Sequence, residues 1–140
     1  ENKSVLMGKE SKSEYITKFG KKILLVEDDD ITIELLKLYL KNYCKLDVAN
    51  RGDNAIQLAL ENNYDAILMD INLGTGIDGL EVTKILRQTE KYKIIPIIAV
   101  TAYAMVGDRE TFISAGCDYY ISKPFARNDL LNLLDKIFSE

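Results

Sequence analysis

Apolar runs punctuate the chain, and each stops abruptly at polar residues. Ile23-Leu24-Leu25-Val26 ends in Glu27-Asp28, and Ala66-Ile67-Leu68-Met69 ends in Asp70. Ile94-Ile95-Pro96-Ile97-Ile98-Ala99-Val100 ends in Thr101, and Tyr119-Tyr120-Ile121-Ser122 ends in Lys123-Pro124. Continuous apolar runs of this length read as strands buried on both faces of a parallel sheet. Lys45–Ala49 differs, because Leu46 and Val48 alternate with polar residues, and it reads as a strand at the sheet edge. Pro96 lacks an N–H, so the run that contains it cannot be laddered throughout.

Between the runs, apolar residues recur at helical spacing. Ile31, Leu35, Leu38 and Tyr39 fall on one stripe of a helix that Asp29 or Asp30 caps and that runs to about Asn42. Gly52-Asp53 opens a second helix, with Ala55, Ile56, Ala59 and Leu60 inward, and Asn62-Asn63 ends it. After Gly79, Leu80, Val82, Thr83, Ile85 and Leu86 make a third helix. A fourth, from about Tyr103 to Ala115, stops at Gly116. A fifth, about Arg127 to Phe138, buries Leu130, Leu131, Leu133, Leu134 and Ile137. Strand and helix thus alternate five times, which predicts an α/β fold: a doubly wound, five-stranded parallel sheet with five helices. Right-handed crossovers favour the flavodoxin-like order 2-1-3-4-5, whose switch point lies between the strands ending in Glu27-Asp28 and in Asp70.

Composition narrows the function. A length of 140 residues suits one domain over 21–140, preceded by a Lys-, Glu- and Ser-rich linker or tail over 1–20. A net charge of -4 argues against a nucleic-acid surface. No apolar run reaches membrane-spanning length and residues 1–20 lack a signal-peptide core, so the expectation is a cytoplasmic protein without direct membrane contact. Cys44 and Cys117 lack metal-ligand spacing and read as reduced thiols. The chain has no histidine, so no histidine base, metal ligand or phosphohistidine can come from it.

The strand ends carry the chemistry. In this fold they converge on one edge, bringing together Glu27, Asp28, Asp70, Thr101 and Lys123. Three clustered carboxylates repel one another, and a hard divalent cation such as Mg²⁺ (or Mn²⁺) resolves that repulsion. Asp70 is then a metal ligand or a nucleophile that attacks a phosphoryl group. Thr101 offers a hydroxyl to the resulting dianion, Lys123 offers a charge, and Ala102 leaves room for the group. Each residue also has an ordinary explanation: helix capping for Glu27-Asp28 and Thr101, a surface lysine before a turn for Lys123. Those explanations do not account for all of them standing in order at the ends of four strands.

The set Glu27-Asp28, Asp70, Thr101-Ala102 and Lys123-Pro124-Phe125 closely resembles the receiver domain of two-component response regulators, over about residues 21–138. The resemblance implies that Asp70 is the phosphorylated aspartate, with a histidine kinase or histidine phosphotransfer domain as donor. It implies that Asp28 ligates Mg²⁺ directly, that Glu27 acts through water, and that the backbone carbonyl of Asn72 is a further ligand. Thr101 and Lys123 would contact the phosphoryl group. Tyr120 would turn inward as Thr101 moves, and a downstream protein would read the face of the fourth helix, fifth strand and fifth helix. Asn72 and Tyr103, each two residues past a site residue, would flank the phosphoryl group and set its lifetime. The family often places a proline shortly after the phosphorylated aspartate; here Leu73-Gly74-Thr75-Gly76-Ile77 stands in a longer loop, as in receivers attached to hybrid sensor histidine kinases.

Three rivals share parts of this pattern. An aspartate-nucleophile phosphatase wants a second aspartate two residues on as general acid, and that position is Asn72. A flavin module wants a phosphate-binding loop where Glu27-Asp28-Asp29-Asp30 would repel phosphate. A receiver-like interaction domain that never takes phosphate has no need of the intact acidic set.

Overall fold

The computed structural model describes residues 20–74, 76–102 and 108–139. The elements are β1 (Lys22–Val26), α1 (Asp30–Leu40), β2 (Lys45–Ala49), α2 (Gly52–Glu61), β3 (Ala66–Asp70), α3 (Gly79–Arg87), β4 (Ile97–Thr101), α4 (Asp108–Ala115), β5 (Tyr119–Ser122) and α5 (Arg127–Ser139). The strands form one sheet in the order β2-β1-β3-β4-β5, and every pairing is parallel. This is the expected doubly wound, flavodoxin-like topology. The tail over 1–19 and Tyr103 lie outside the described residues.

The period-2 alternation of the strands divides the core into two layers. On one face Leu24, Val26, Ile67, Met69, Ile97 and Ala99 meet Ala55, Ala59, Val82, Leu86 and Phe112 from α2, α3 and α4. On the other, Ile23, Leu25, Leu68, Ile98 and Val100 meet Ile33, Leu36 and Leu40 of α1 and Leu130, Leu134 and Ile137 of α5. Apart from Lys22, Asp70 and Thr101 at their ends, β1, β3 and β4 are therefore apolar, because both their faces are covered.

The phase of α1 differs from the expectation. Ile33, Leu36 and Leu40 face the core, whereas Ile31 is 80% exposed, Leu35 is exposed and Leu38 is 66% exposed. Tyr39 is half-buried, and its hydroxyl donates to the Phe125 carbonyl at 3.1 Å. Both stripes obey the helical period, so the pattern alone could not choose between them. Leu60, expected inward, is exposed, as is Ile94. β4 begins only at Ile97, after Pro96, because the proline cannot donate to the ladder. Asp29 does cap α1: its carboxylate accepts the Thr32 N–H at 2.9 Å. Cys44 and Cys117 are free, and burial pushes the thiols up to about 12 and about 11, which leaves both unreactive. None of the described helices is long and apolar enough to cross a membrane.

Candidate functional site: an acidic cleft at the switch point

Each site residue is delivered by the end of a strand. β1 stops at Val26, and the Glu27 N–H still donates to the Ala49 carbonyl of β2 at 3.0 Å, which holds Glu27 at the sheet edge. Its side chain turns inward and is 1% exposed. Glu27 Oε2 accepts the Asp29 N–H at 3.1 Å, and Oε1 accepts from Lys123 Nζ at 2.9 Å. Asp28 remains exposed, and its Oδ2 accepts the Gly74 N–H at 2.6 Å.

Asp70 is the last residue of β3 and is 4% exposed. The following N–H, that of Ile71, still reaches the Val100 carbonyl at 3.2 Å, so β3 stays paired up to the point where Asp70 enters the cleft. Asp70 Oδ1 accepts the Asn72 N–H at 3.1 Å. Thr101 ends β4 fully buried, and its carbonyl accepts the Lys123 N–H at 2.8 Å. The Lys123–Pro124 peptide is cis. Lys123 lies 3.9 Å from Asp70 Oδ1, so one ammonium serves two of the carboxylates. Ala102 is exposed beside Thr101.

Among the described residues, Glu27, Asp28 and Asp70 form one acidic group, each offering a carboxylate oxygen within 4.8 Å of the others. The electrostatic strain is legible in Glu27. Burial pushes its carboxyl up to about 7, Lys123 pulls the other way, and the Asp70 carboxyl adds to the rise. An all-oxygen donor set with surplus negative charge fits a hard divalent cation.

Tyr120 and Tyr119 take opposite sides of β5, as alternation requires. Tyr119 packs toward the α1–α5 layer. Tyr120 points outward, 44% exposed, with its ring 6.2 Å from that of Phe112 and tilted by 55°. One residue that matters here escaped the sequence reading. Gly79, the first residue of α3, sits so close to the end of β3 that any Cβ would collide with the Asp70 carbonyl oxygen. Its only sequence signal was a glycine at a helix start.

Fold and edge together define a class: a doubly wound α/β module whose switch point carries acidic side chains able to share one divalent cation. Residues 23–135 match the model of the response regulator receiver domain. The polar-differentiation response regulator DivK of Brucella ovis is 42% identical over 107 residues, spanning 76% of this chain and 86% of DivK. The receiver domain of the sensor histidine kinase PA1611 from Pseudomonas aeruginosa PAO1, solved with a magnesium ion coordinated in its active site cleft, is 36% identical with a TM-score of 0.79. That comparison covers 86% of this chain and 98% of the other. A response regulator of Chloroflexus aurantiacus J-10-fl superimposes with a TM-score of 0.80 at 31% identity, over 86% of this chain and 98% of its own. The chain belongs to the response regulator receiver domain family, the signal-receiving module of two-component systems.

Proposed function

We propose that the chain is a phosphorylation-controlled switch, with Asp70 as phosphoacceptor and a phosphohistidine on a histidine kinase or histidine phosphotransfer domain as donor. The observation that carries this is the Glu27, Asp28 and Asp70 group within 4.8 Å, with Lys123 bridging two of its members. Asp70 oxygen attacks phosphorus, the P–N bond of the donor breaks, and its electron pair leaves on the imidazole. When bound, Mg²⁺ (or Mn²⁺) neutralises the phosphoryl oxygens. Asp28 and Asp70 would hold it directly, with the Asn72 carbonyl, and Glu27 through water. Lys123 would contact the phosphoryl group, Thr101 would move its hydroxyl toward it, and Ala102, which is exposed, would leave the space. Asn72 is exposed and donates its N–H to Asp70 Oδ1, and with Tyr103 it would govern access of hydrolytic water.

The donor would approach over the β1–α1 and β3–α3 junctions, and the exposed Ile31, Leu35 and Leu38 along α1 would offer it an apolar landing surface. Readout would follow from Thr101 and Tyr120: inward rotation of Tyr120 would strip its ring from Phe112 and reshape the α4–β5–α5 face for a downstream protein. A cleft of about 250 Å³ between α4 and β5, with Arg109, Phe112, Ile113 and Tyr120 in its lining, supports that reading. A cytoplasmic location suits a donor of this kind, and the parent protein would be a response regulator or a hybrid histidine kinase.

Intact mass after incubation with Mg²⁺ and a small-molecule phosphodonor tests the reading. One added phosphoryl group, lost in Asp70→Asn and with chelator, is expected. A folded, Mg²⁺-bound protein that takes no phosphoryl group from either the small donor or a phosphorylated phosphotransfer domain would favour the phosphate-independent interaction domain. Rapid turnover of free phosphomonoesters would favour the aspartate-nucleophile phosphatase.

A further inference from the structure

The loop between β3 and α3 reaches back across the cleft. Gly74 donates its backbone N–H to Asp28 Oδ2 at 2.6 Å, joining positions 46 residues apart. Asp28 is exposed, and an exposed carboxylate without such a bond samples several rotamers. We propose that Gly74 is a positioning residue for the cation site: its N–H fixes one oxygen of Asp28 and leaves the other to the cation. This rests on the reading of Asp28 as a metal ligand. Hydrogen-bond partners of ligating carboxylates orient them and sustain metal affinity.

The position makes two demands on the residue that fills it. It must have an N–H to donate, which proline lacks. It must also have no Cβ, because one built at position 74 would lie 2.7 Å from Asp28 Oδ2. What gives way to that Cβ is the tip of an exposed side chain and not backbone. Substitution therefore costs the fold little and falls on the placement of one ligand. The same bond ties the start of α1 to the β3–α3 loop, so cation binding at Asp28 and ordering of Gly74 are linked in both directions.

The test is a Mg²⁺ titration of the full chain followed by amide NMR, for wild type, Gly74→Ala, Gly74→Pro, Asp28→Asn and the Asp28→Asn/Gly74→Pro double variant. Both Gly74 variants are expected to melt near the wild-type temperature and to bind Mg²⁺ about 10-fold more weakly or worse. In the Asp28→Asn background, Gly74→Pro should add little, because its effect runs through Asp28. In wild type, the Gly74 amide should be protected from exchange, lose that protection in an Asp28→Ala variant, which has no side-chain acceptor, and shift with the same half-saturation as Mg²⁺ binding. Unchanged affinity in both Gly74 variants, or fully additive losses in the double variant, overturns the proposal. If the variants do not fold, an unprotected Gly74 amide in wild type overturns it alone. Mg²⁺ binding that ignores Asp28→Asn sinks the metal-ligand reading itself, whereas binding that needs Asp28 but not Gly74 sinks only this inference.

Discussion

Lys123 and Glu27 meet at 2.9 Å across the sheet edge, although 96 positions separate them in sequence. The pair joins the ends of β1 and β5 and leaves the ammonium 3.9 Å from Asp70. Lys123→Met should leave the fold intact, since Glu27 escapes the loss of its partner by keeping its proton. Phosphoryl uptake from a small donor should fall about 100-fold, the usual cost of one preorganised charge donor. Rates within threefold of wild type would show that Lys123 serves only the ion pair.

The raised Glu27 carboxyl sets a pH dependence. Its pKa lies near 7 in the fold and at 4.5 ordinarily, so between these values the folded state binds more protons than the unfolded state. By linkage, stability without metal is fully present below about 4.5 and is lost as pH rises through about 7. Asp29 and Asp53, whose pKa values are lowered by hydrogen bonds from Thr32 and Arg51, act below 3.8 and outside that window. Thermal melts with chelator should therefore fall from about pH 5 to about pH 7.5. Saturating Mg²⁺, which favours the ionised carboxylate, should flatten the curve, and Mg²⁺ affinity should tighten over the same range. A flat melting profile with chelator would refute the assignment.

Gly79→Ala tests the seating of Asp70. A Cβ there meets the Asp70 carbonyl oxygen and, at 3.0 Å, the Ile71 Cα, which are backbone and cannot swing aside. The expected loss is about 1–3 kcal/mol in urea unfolding, together with slower phosphorylation. A variant with wild-type stability and rate would mean that α3 shifts freely.

The phase of α1 yields a paired prediction. Leu36→Ala opens the core and should cost about 2–5 kcal/mol. Leu38→Ser, two residues on, should stay within about 0.5 kcal/mol. Similar losses for both would contradict the observed burial.

Arg87 is expected to be structural and not chemical. Its guanidinium donates to the carbonyls of Gly116, Tyr92 and Ile95 and pairs with Asp118 at 2.6 Å, fastening the end of α3 to the entries of β4 and β5. Arg87→Ala should cost about 3 kcal/mol, because part-buried acceptors lose their donor. Its phosphorylation rate at low temperature should match wild type; a selective rate loss without destabilisation would give Arg87 a functional role.

What the sequence determined by itself was the strand order and the carboxylates that meet at one sheet edge. Runs such as Ile67–Met69 are apolar throughout because both faces are covered, and the polar residue that ends each run marks the edge where the fold gathers its chemistry. These are short-range signals, written in contiguous residues. Only the tertiary structure decided which of two equally periodic stripes of α1 faces inward, since Ile31-Leu35-Leu38 and Ile33-Leu36-Leu40 differ by orientation alone. It also decided the contacts between distant backbone segments. Gly79 against Asp70, Gly74 against Asp28 and the Arg87 clamp depend on how loops pass one another. Such contacts leave only a glycine or an arginine in the sequence, and many of those carry no such duty.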